Sequence, residues 1–393
     1  MADSVGFLKV AEWLRSDKDI KAVVVSAGGK TKNCQKVTDL LLCGARLIEK
    51  GESVKKSLAP FFERVVGDAE KIGVENFIKD ELMKIEQEVE RDFSLDFLLS
   101  RGEYVYAKAF SKYYGIRFVD SKDLIGFYSN GKLNLGYSEF KIKEEYLRGG
   151  AFVTGGFYGA YQDGKIKTFS RGGSDFSGSI VAKGLNAKKY LNFTDVDGVF
   201  SIPPSIAKSQ VIKRISFDQI RLLGEFGANV LHPASVIPLY GSRAEIEVRN
   251  TFNRNSDGTV ISEDYFGEPF ALAVLKECSF LRVEKQGCGR TLLQKLCNEN
   301  IEIICSTSSL DFAEICFKGN FDSERFAKNQ GLNYFFLQSV CVLFFTKNQR
   351  SIDVIERLRK EKITLFTVDF DKGSIVLVNG EKLPIISEIL QII

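Results

Sequence analysis

Residues 170–175 read Ser170-Arg-Gly-Gly-Ser-Asp175, between a predicted strand at 166–169 and a predicted helix at 176–185. On both sides of this strand–turn–helix segment, strands and helices alternate along the first two thirds of the chain. Further strands are predicted at 22–25, 151–154, 190–193 and 245–249, and helices near 7–14, 76–92, 104–114 and 217–226. This alternation implies βαβ units, so the sequence predicts an α/β fold with a mostly parallel sheet covered by helices on both faces.

The turn at 170–175 combines a guanidinium, two glycines, a hydroxyl and a carboxylate. Arg171 can hold a carboxylate with two parallel hydrogen bonds, and the backbone N–H groups around Gly173 point at an anion. Asp175 suits such an anion site only if it orients a cation or a metal. The combination is hard to explain as turn chemistry alone, and it therefore indicates a ligand site.

Other glycine-containing segments follow predicted strands, where open α/β sheets place their ligands. Ser26-Ala-Gly-Gly-Lys-Thr31 offers backbone N–H groups and two hydroxyls, although a plain strand-to-helix turn is about as consistent with it. Ser100-Arg-Gly-Glu103 is read as opening a helix, and Glu103 either grips an ammonium group or complements the helix dipole. Val153-Thr-Gly-Gly-Phe157 is a third such loop. Thr194-Asp-Val-Asp-Gly198 is either an Asx turn or a site for ribose hydroxyls or a base edge.

Length and composition exclude several classes of protein. The chain has 393 residues, which favours two or three domains. Its 54 Lys and Arg against 51 Asp and Glu argue against a nucleic-acid partner, and its longest apolar stretch is too short to cross a membrane. Eight Cys without a C-x-x-C pair, and no signal-peptide pattern in residues 1–20, predict reduced thiols and a cytoplasmic location. The single His232 excludes a zinc site built on several histidines, and we interpret it as a packed or capping residue.

The pattern changes after about residue 262, where short strands and helices predict two small α+β modules. The first set of elements is predicted at 271–275, 279–284, 290–299, 301–306 and 312–318, and the second at 340–346, 351–360, 363–369 and 374–378, before a C-terminal helix. The boundary is placed within 254–269, where turn-forming residues interrupt the chain: Asn255, Ser256, Asp257, Gly258, Gly267 and Pro269.

Six segments, taken together and in order, resemble the motifs of aspartokinases. They are Ser26-Ala-Gly-Gly-Lys-Thr31, Arg101-Gly-Glu103, Gly155-Gly-Phe157, Arg171-Gly-Gly-Ser-Asp175, Thr194-Asp-Val-Asp-Gly198 and Gly227-Ala-Asn-Val-Leu-His-Pro233. The resemblance implies a three-layer amino-acid-kinase fold over 1–262, followed over 270–393 by two interleaved ACT-like regulatory modules. In this family the first strand of the second half usually pairs with the last module, which implies modules at about 279–339 and at 271–275 plus 340–393.

The resemblance implies ATP- and Mg²⁺-dependent phosphorylation of the side-chain carboxylate of L-aspartate, at the start of a pathway to lysine, threonine, methionine and diaminopimelate. A carboxylate is already ionised at neutral pH and needs no general base. The roles it implies are Arg171 on the substrate α-carboxylate and Glu103 on its α-ammonium, with Asp175 orienting a phosphate-binding lysine. The remaining implied positions are Ser26 in catalysis, Thr31, Phe157 and Ser174 around the substrate, and Gly28, Gly29, Gly172, Gly173, Thr194, Asp195 and Phe200 around ATP.

The sequence departs from the family pattern in several places. Relatives begin with a strand and a Lys-Phe-Gly-Gly loop, and Met1-Ala-Asp-Ser4 resembles the residues just after that loop, so we expect both to be missing from this sequence. Phe200 replaces a Tyr that is usual in the family, and Asn229 replaces a Lys that many relatives have. Ile202-Pro-Pro-Ser205 lies where relatives usually have a segment that contains an Arg. With these phosphate-contacting cations absent, we expect the chain as written to be a weak kinase.

Regulation is the least determined part of the sequence. The loop before helix 290–299 contains Gly287, Gly289 and Arg290 and occupies the place where ACT modules bind an amino acid, here lysine or threonine. A purely structural dimerisation module is an equal alternative, and either favours a homodimer or homotetramer. For the whole chain, two other functions stay open: a non-catalytic amino-acid-binding regulatory subunit, and a related kinase acting on another acyl acceptor such as glutamate.

Overall fold

The structure, a computed structural model, describes residues 4–17, 19–31, 34–169, 172–228, 230–284, 288–299, 301–309 and 311–392. The chain divides into two compact units. The first comprises Met1–Val199, Val211–Arg221 and Asn229–Phe266, and the second comprises Phe200–Gln210, Leu222–Ala228 and Gly267–Ile393. The second unit thus includes two short segments from inside the range 1–262.

The part of the chain before residue 267 contains both helices and strands. The helices are α1 Ser4–Arg15, α2 Val37–Glu49, α3 Val54–Glu70, α4 Glu75–Arg91, α5 Leu95–Tyr114, α6 Leu135–Gly149 and α7 Gly173–Gly184, with α8 Phe217–Glu225 further along the chain. The strands are β1 Ala22–Val25, β2 Gly126–Phe127, β3 Leu133–Asn134, β4 Phe152–Gly155, β5 Tyr158–Tyr161, β6 Ile166–Thr168, β7 Lys189–Thr194, β8 Arg214–Ser216, β9 Glu245–Asn250 and β10 Thr259–Ser262. Among the described residues, none of these helices combines the length and the apolar character that a membrane crossing requires.

Strand pairing in the first unit is mixed. β1 and β4 are parallel, as are β2 and β5, β7 and β9, and β8 and β10. Antiparallel pairs join β2 to β3, β5 to β6 and β9 to β10. The α/β class is therefore confirmed, and antiparallel strands accompany the parallel ones.

The paired strands β1 and β4 are buried on both faces, because alternate residues enter two different cores. Val23 and Val25 of β1 and Val153 of β4 pack with helices α1 to α5. Ala22 and Val24, with Phe152 of β4, pack instead with α6 and α7. The run Ala22–Val25 is apolar at every position for this reason, and its predicted bounds are confirmed.

The second unit contains one six-stranded sheet. Its strands are β11 Leu272–Glu284, β12 Glu302–Ser308, β13 Phe312–Lys318, β14 Asn333–Thr346, β15 Thr364–Phe370 and β16 Gly373–Asn379, in the order β12-β13-β11-β14-β16-β15. Its helices are α9 Cys288–Asn298, α10 Ser323–Asn329, α11 Gln349–Lys360 and α12 Leu383–Ile392.

The two strands expected at 271–275 and 279–284 are one continuous strand, β11. Its first part pairs with the end of β14, from Leu272↔Phe345 to Leu275↔Val342. Its second part pairs with β13, from Ser279↔Phe317 to Glu284↔Phe312, and with the start of β14. The register shifts at Cys278, between the two parts, so that a single strand serves both halves of the sheet.

Several helices of the first unit were not predicted or were predicted short. The helix expected at 104–114 begins at Leu95, and α2, α3 and α6 were not assigned. The sequence does not predict α3 because polar residues interrupt the apolar pattern of its buried face, namely Ser57, Arg64 and Asp68. Pro60, which lies inside the helix, also disfavours a helix prediction. This helix contributes to the site described next.

Candidate functional site

The carboxyl ends of β1 and β4 lie side by side, since the two strands are parallel and in register from Ala22↔Phe152 to Val25↔Gly155. The loop 26–31 and the loop 155–157 therefore leave the same edge of the sheet. The N–H of Gly156 donates to the carbonyl of Val25 at 2.9 Å and joins the two loops. Two of the glycine-containing segments singled out in the sequence are thus brought together.

Arg64 of α3 binds the backbone of the loop after β1. Arg64 Nη2 donates to the carbonyl of Gly29 at 3.2 Å, and Nη1 donates to the carbonyl of Gln35 at 2.7 Å. The N–H of Val37, at the start of α2, closes the loop on the carbonyl of Gly28 at 2.9 Å. Thr31 donates its N–H to Cys34 at 3.0 Å, and Ser26 is half-buried at the start of the loop.

Arg64 is itself held by a buried network that the sequence did not reveal. Its Nε donates to Oδ2 of Asp68 at 2.8 Å, and the hydroxyl of Tyr106, from α5, donates to the same oxygen at 2.5 Å. Burial and the Asp68 carboxylate raise the pKa of Tyr106 well above its ordinary value, so the phenol keeps its proton. In the sequence, the i,i+4 spacing of Arg64 and Asp68 indicates only that the two side chains can pair if the segment is helical.

Glu103 lies well inside α5, whose N-cap is Ser94. The segment Ser100–Glu103 thus neither follows a strand nor opens a helix, and the helix-dipole interpretation of Glu103 is wrong. The side chain is buried, at 6% exposure, and its Oε2 has no hydrogen-bond partner among the residues that the structure describes.

Burial raises the pKa of Glu103 to about 7. Hydrogen bonds from its own backbone N–H and from that of Ala27, with the charges of Lys36 and Arg101, act in the opposite direction. The contact with Ala27 places this carboxyl group beside the loop that follows β1. A buried carboxylate with an unused oxygen is suited to a cationic ligand, because an unpaired buried charge is costly.

Arg101 precedes Glu103 and was not given a role by sequence reasoning. Its guanidinium carbon lies 4.4 Å from the ring centre of Phe97 and 4.3 Å from that of Tyr104. Nε and Nη2 also donate to the hydroxyl of Ser100 at 3.1 and 2.9 Å. Flanking aromatic rings hold Arg101 in place, and its charge favours the ionised form of Glu103.

The first turn of α7 faces the loop after β4. A Cβ on Gly156 would lie 2.8 Å from Cα of Ser174, so the two segments approach more closely than a side chain allows. The N–H of Phe157 donates to the hydroxyl of Ser177 at 3.0 Å. Gly172 is the N-cap with φ +74°, and a Cβ there would overlap the ring of His232. The backbone at the start of α7 thus lies against the loop after β4.

His232 has a structural role, as the sequence predicted. It is the N-cap of the short 3-10 helix Pro233–Leu239, and its Nδ1 accepts the N–H of Ala234 at 3.2 Å.

Asp175 connects α7 to β7. Its Oδ1 accepts the amide Nδ2 of Asn192 at 3.1 Å, and the backbone N–H of His232 also stabilises the carboxylate. Burial nevertheless raises the pKa of Asp175. The described partners of Asp175 are therefore an amide and a backbone N–H group, which were not expected from the sequence.

Asp195 lies immediately after β7 and is exposed, with the hydroxyl of Thr194 donating to it at 3.3 Å. Asp197 is instead pinned by the amides of Asn250 and Asn253, at 2.7 and 3.0 Å. The two carboxylates of this turn are thus distinguished: Asp197 holds the loop, and Asp195 faces solvent. Phe200 falls in the second unit.

Some predicted residues lie outside the described part of the chain, namely Ser170, Arg171, Asn229 and Gly287. Gly289 and Arg290 lie in the first turn of α9, where a Cβ on Gly289 would lie 3.2 Å from Cβ of Ser308. Within the described ranges, no three His, Cys, Asp or Glu side chains cluster in a way that holds a metal ion.

Comparisons with known proteins identify relatives of this chain. The family model of the amino acid kinase family matches residues 3–250. Aspartokinase 3 of Bacillus subtilis is 34% identical over 274 residues, which cover 64% of this chain and 59% of that protein. Chloroplastic aspartokinase 1 of Arabidopsis thaliana is 28% identical over 268 residues, which cover 61% of this chain and 46% of that protein.

The crystal structure of Clostridium acetobutylicum aspartate kinase is similar to both units. It has a TM-score of 0.87 and 27% identity and covers 99% of this chain and 96% of that chain. The chain spans about half the length of the first curated relatives it matches in sequence.

Proposed function

The chain belongs to the amino acid kinase family, and from this premise we propose that it is an aspartate kinase, which transfers the γ-phosphoryl group of ATP to the side-chain carboxylate of L-aspartate. The observation that carries the proposal is the buried Glu103 carboxyl group, with Oε2 unpartnered among the described residues, beside the loop that follows β1. The buried carboxylate of Glu103 is suited to bind a cation such as an α-ammonium group.

The substrate is recognised by its two charged α-groups. Glu103 accepts hydrogen bonds from the α-ammonium, and Arg171 holds the α-carboxylate by two parallel hydrogen bonds. Both contacts leave the side-chain carboxylate free to react. The residues proposed to line this subsite are Ser26, Thr31, Phe157 and Ser174.

The nucleotide is proposed to lie across the first turn of α7, toward the carboxyl end of β7. Backbone N–H groups at a helix start stabilise phosphate oxygens, and Gly172 and Gly173 allow a close approach there. The side chain of Asp195 is exposed at the end of β7 and is available to ribose or base. The other residues proposed on this side are Gly28, Gly29 and Thr194.

The reaction is an in-line displacement. A side-chain carboxylate oxygen of aspartate attacks the γ-phosphorus while the bond from that phosphorus to the β–γ bridging oxygen breaks, giving 4-phospho-L-aspartate and ADP. The nucleophile has a reference pKa of about 3.9, so it is ionised and no general base is needed. The protein's contribution is to position the two substrates and to stabilise negative charge on the transferred group.

The donor set fits Mg²⁺ bound mainly through the nucleotide. Mg²⁺ in phosphoryl-transfer sites uses one or two carboxylates together with phosphate oxygens and water, and a dedicated protein cage is not required. Asp195 and Asp175 are the carboxylates near the proposed nucleotide position. When bound, the ion neutralises phosphate charge that the N–H groups of α7 stabilise only in part.

The product is an acyl phosphate, and we place the chain at the first step of a route from aspartate to lysine, threonine, methionine and diaminopimelate. An assay with aspartate, ATP and hydroxylamine tests the activity, because hydroxylamine converts the acyl phosphate to a coloured hydroxamate. Hydroxamate formation with aspartate supports the proposal. Formation with glutamate alone would identify a kinase for another acyl acceptor, and binding of an amino acid without hydroxamate would identify a regulatory subunit.

The second unit is proposed to be a pair of regulatory ACT-like modules that bind lysine or threonine near the start of α9 and mediate homodimer or homotetramer formation. Either amino acid at millimolar concentration should then raise the melting temperature and inhibit hydroxamate formation. Gly289→Asp should abolish both effects, because Gly289 packs closely on Ser308. If neither amino acid changes the melting temperature, the second unit has only a structural role.

A further inference from the structure

We propose that Cys305 and Cys316, on adjacent strands of the second unit, are an oxidation site that a hydroperoxide converts to a disulfide. The proposal is independent of the kinase activity. Seven cysteines described by the structure are free thiols, and three of them meet on one face of the sheet: Cys278, Cys305 and Cys316.

The register of the strands places Cys305 and Cys316 directly opposite one another, across the antiparallel pair β12 and β13. Residues that are paired in this way have Cα atoms about 4.5 to 5.5 Å apart and carry their side chains on the same face. Disulfides form across Cα separations of about 4.4 to 6.8 Å. The pair can therefore be bridged without rearranging the sheet.

Cys278 is the third member of the cluster. Phe280 of β11 is paired with Cys316, and Cys278 lies two residues before Phe280 in β11, diagonally across from Cys316. The Cys316 thiol is near enough to both neighbours to change their pKa values, and the Cys278 thiol donates to the carbonyls of Leu275 and Lys276. Cys278 and Cys316 are each only 1% exposed, whereas Cys305 is partly exposed on β12 at the edge of the sheet. A small oxidant therefore reaches Cys305 first.

Interaction with the Cys316 thiol lowers the pKa of the Cys305 thiol, although burial opposes the shift. The same contacts, with Cys278 first, raise the pKa of Cys316. The two residues thus differ in reactivity: Cys305 has the greater thiolate character, and Cys316 retains its proton. Thiolate character and access together select the cysteine that reacts with peroxide.

The chemistry proceeds in two balanced steps with hydrogen peroxide as the oxidant. The Cys305 thiolate attacks one peroxide oxygen and the O–O bond breaks, giving a sulfenic acid at Cys305 and hydroxide, which takes a proton to become water. The Cys316 sulfur then attacks the sulfenic sulfur. The S–O bond breaks, the thiol proton of Cys316 leaves with the hydroxyl group as water, and the disulfide forms. Two thiols and one peroxide give one disulfide and two waters.

The test uses the full chain in its native state. The reduced protein is treated with one equivalent of hydrogen peroxide, remaining thiols are alkylated, and the protein is digested without reduction by a protease that cleaves after Glu. Cleavage at Glu302 and Glu314 separates Cys305 from Cys316, so mass spectrometry can detect a cross-link between the peptides 303–314 and 315–324. The expected result is this linked pair, which dithiothreitol releases.

Two variants check the assignment. Cys305→Ser should abolish the cross-link, whereas Cys297→Ser, which removes an exposed thiol on α9, should leave it unchanged. In Cys316→Ser, a sulfenic-acid probe should label Cys305. The proposal is overturned if Cys305 and Cys316 of the unmutated protein stay as fully alkylated as before treatment while exposed cysteines such as Cys34 and Cys43 oxidise. It is also overturned if Cys316 is linked to Cys278 instead.

Discussion

Arg64 and Asp68 form an ion pair that is buried on both sides, with 2.8 Å between Arg64 Nε and Asp68 Oδ2 and side chains that are 6% and 9% exposed. The pair spans one turn of α3, yet its hydrogen bonds lead to the backbone of the loop that follows β1. A helix that carries none of the sequence motifs therefore positions the first of them.

We predict that Arg64→Ala destabilises the protein by about 3–5 kcal/mol, because it leaves the Asp68 carboxylate buried without its guanidinium. Tyr106→Phe removes one hydrogen bond to Asp68 and should cost only about 1 kcal/mol. Urea unfolding measures both. The matched control is Arg91→Ala, whose ion pair with Glu88 is exposed and should contribute less than about 1 kcal/mol. An Arg64 variant as stable as the control would contradict the structural role of the network.

Glu103→Gln should raise the KM for aspartate by roughly 10- to 150-fold, which corresponds to the loss of a charge-assisted hydrogen bond of about 1.5–3 kcal/mol. The KM for ATP should change little, since Glu103 is proposed to contact only the amino-acid substrate. Steady-state kinetics with each substrate varied in turn separates the two effects. Glu88→Gln, at a partly exposed position of α4, is the control. An unchanged KM for aspartate would remove Glu103 from the substrate site.

The pH dependence of kcat/KM for aspartate should report the same group. Only the ionised carboxylate can pair with the α-ammonium, and burial raises the pKa of Glu103 to about 7. The value of kcat/KM should therefore be flat above about pH 8, about half-maximal near pH 7, and lower still at more acidic pH. Glu103→Gln should lose this acidic limb. If kcat/KM of the variant still falls at low pH, another residue is responsible for the fall.

The stability of the unliganded protein should change with pH in the opposite direction. The pKa of Glu103 is higher in the folded chain, at about 7, than its ordinary value of 4.5, so the folded state binds the proton more tightly. The stabilising contribution is complete below pH 4.5 and is lost as the pH rises through about 7. Its size is about 3 kcal/mol, from about 1.4 kcal/mol for each pH unit.

Glu103→Gln should thus be more stable than the unmutated protein at pH 8 and about equally stable at pH 5, by urea unfolding without aspartate. Equal stability of the two proteins at pH 8 would show that the buried carboxylate carries no desolvation cost.

Arg171→Lys is expected to raise the KM for aspartate steeply while ATP binding persists, because lysine cannot form the two parallel hydrogen bonds of a guanidinium. The role of Arg171 rests on its sequence motif, since the residue lies outside the described part of the chain. Arg148→Lys, at an exposed position of α6, is a suitable control. Isothermal titration with a non-hydrolysable ATP analogue checks nucleotide binding, and an unchanged KM for aspartate would exclude the carboxylate contact.

Local sequence was sufficient to predict elements whose burial follows a simple period. The all-apolar run Ala22–Val25 could only be a strand buried on both faces, and Ile78, Leu82, Ile85 and Val89 define the core face of α4. The order of the motifs was likewise enough to indicate the family, because each motif keeps its chemistry within a few consecutive residues. The first part of β11 pairs with the end of β14, as expected for 271–275, but β11 is one strand that also pairs with β13.

Tertiary structure decided what distant residues do to one another. Glu103 could be a helix-dipole carboxylate or a ligand group when only its neighbours in sequence are considered, and its position well inside α5 excludes the first. Its burial beside the loop after β1 fits the second. Arg64 has no motif at all, and its role appears only when α3 packs against that loop. Burial and the approach of separate segments set the cost of an unpaired charge, and neither is encoded by local periodicity.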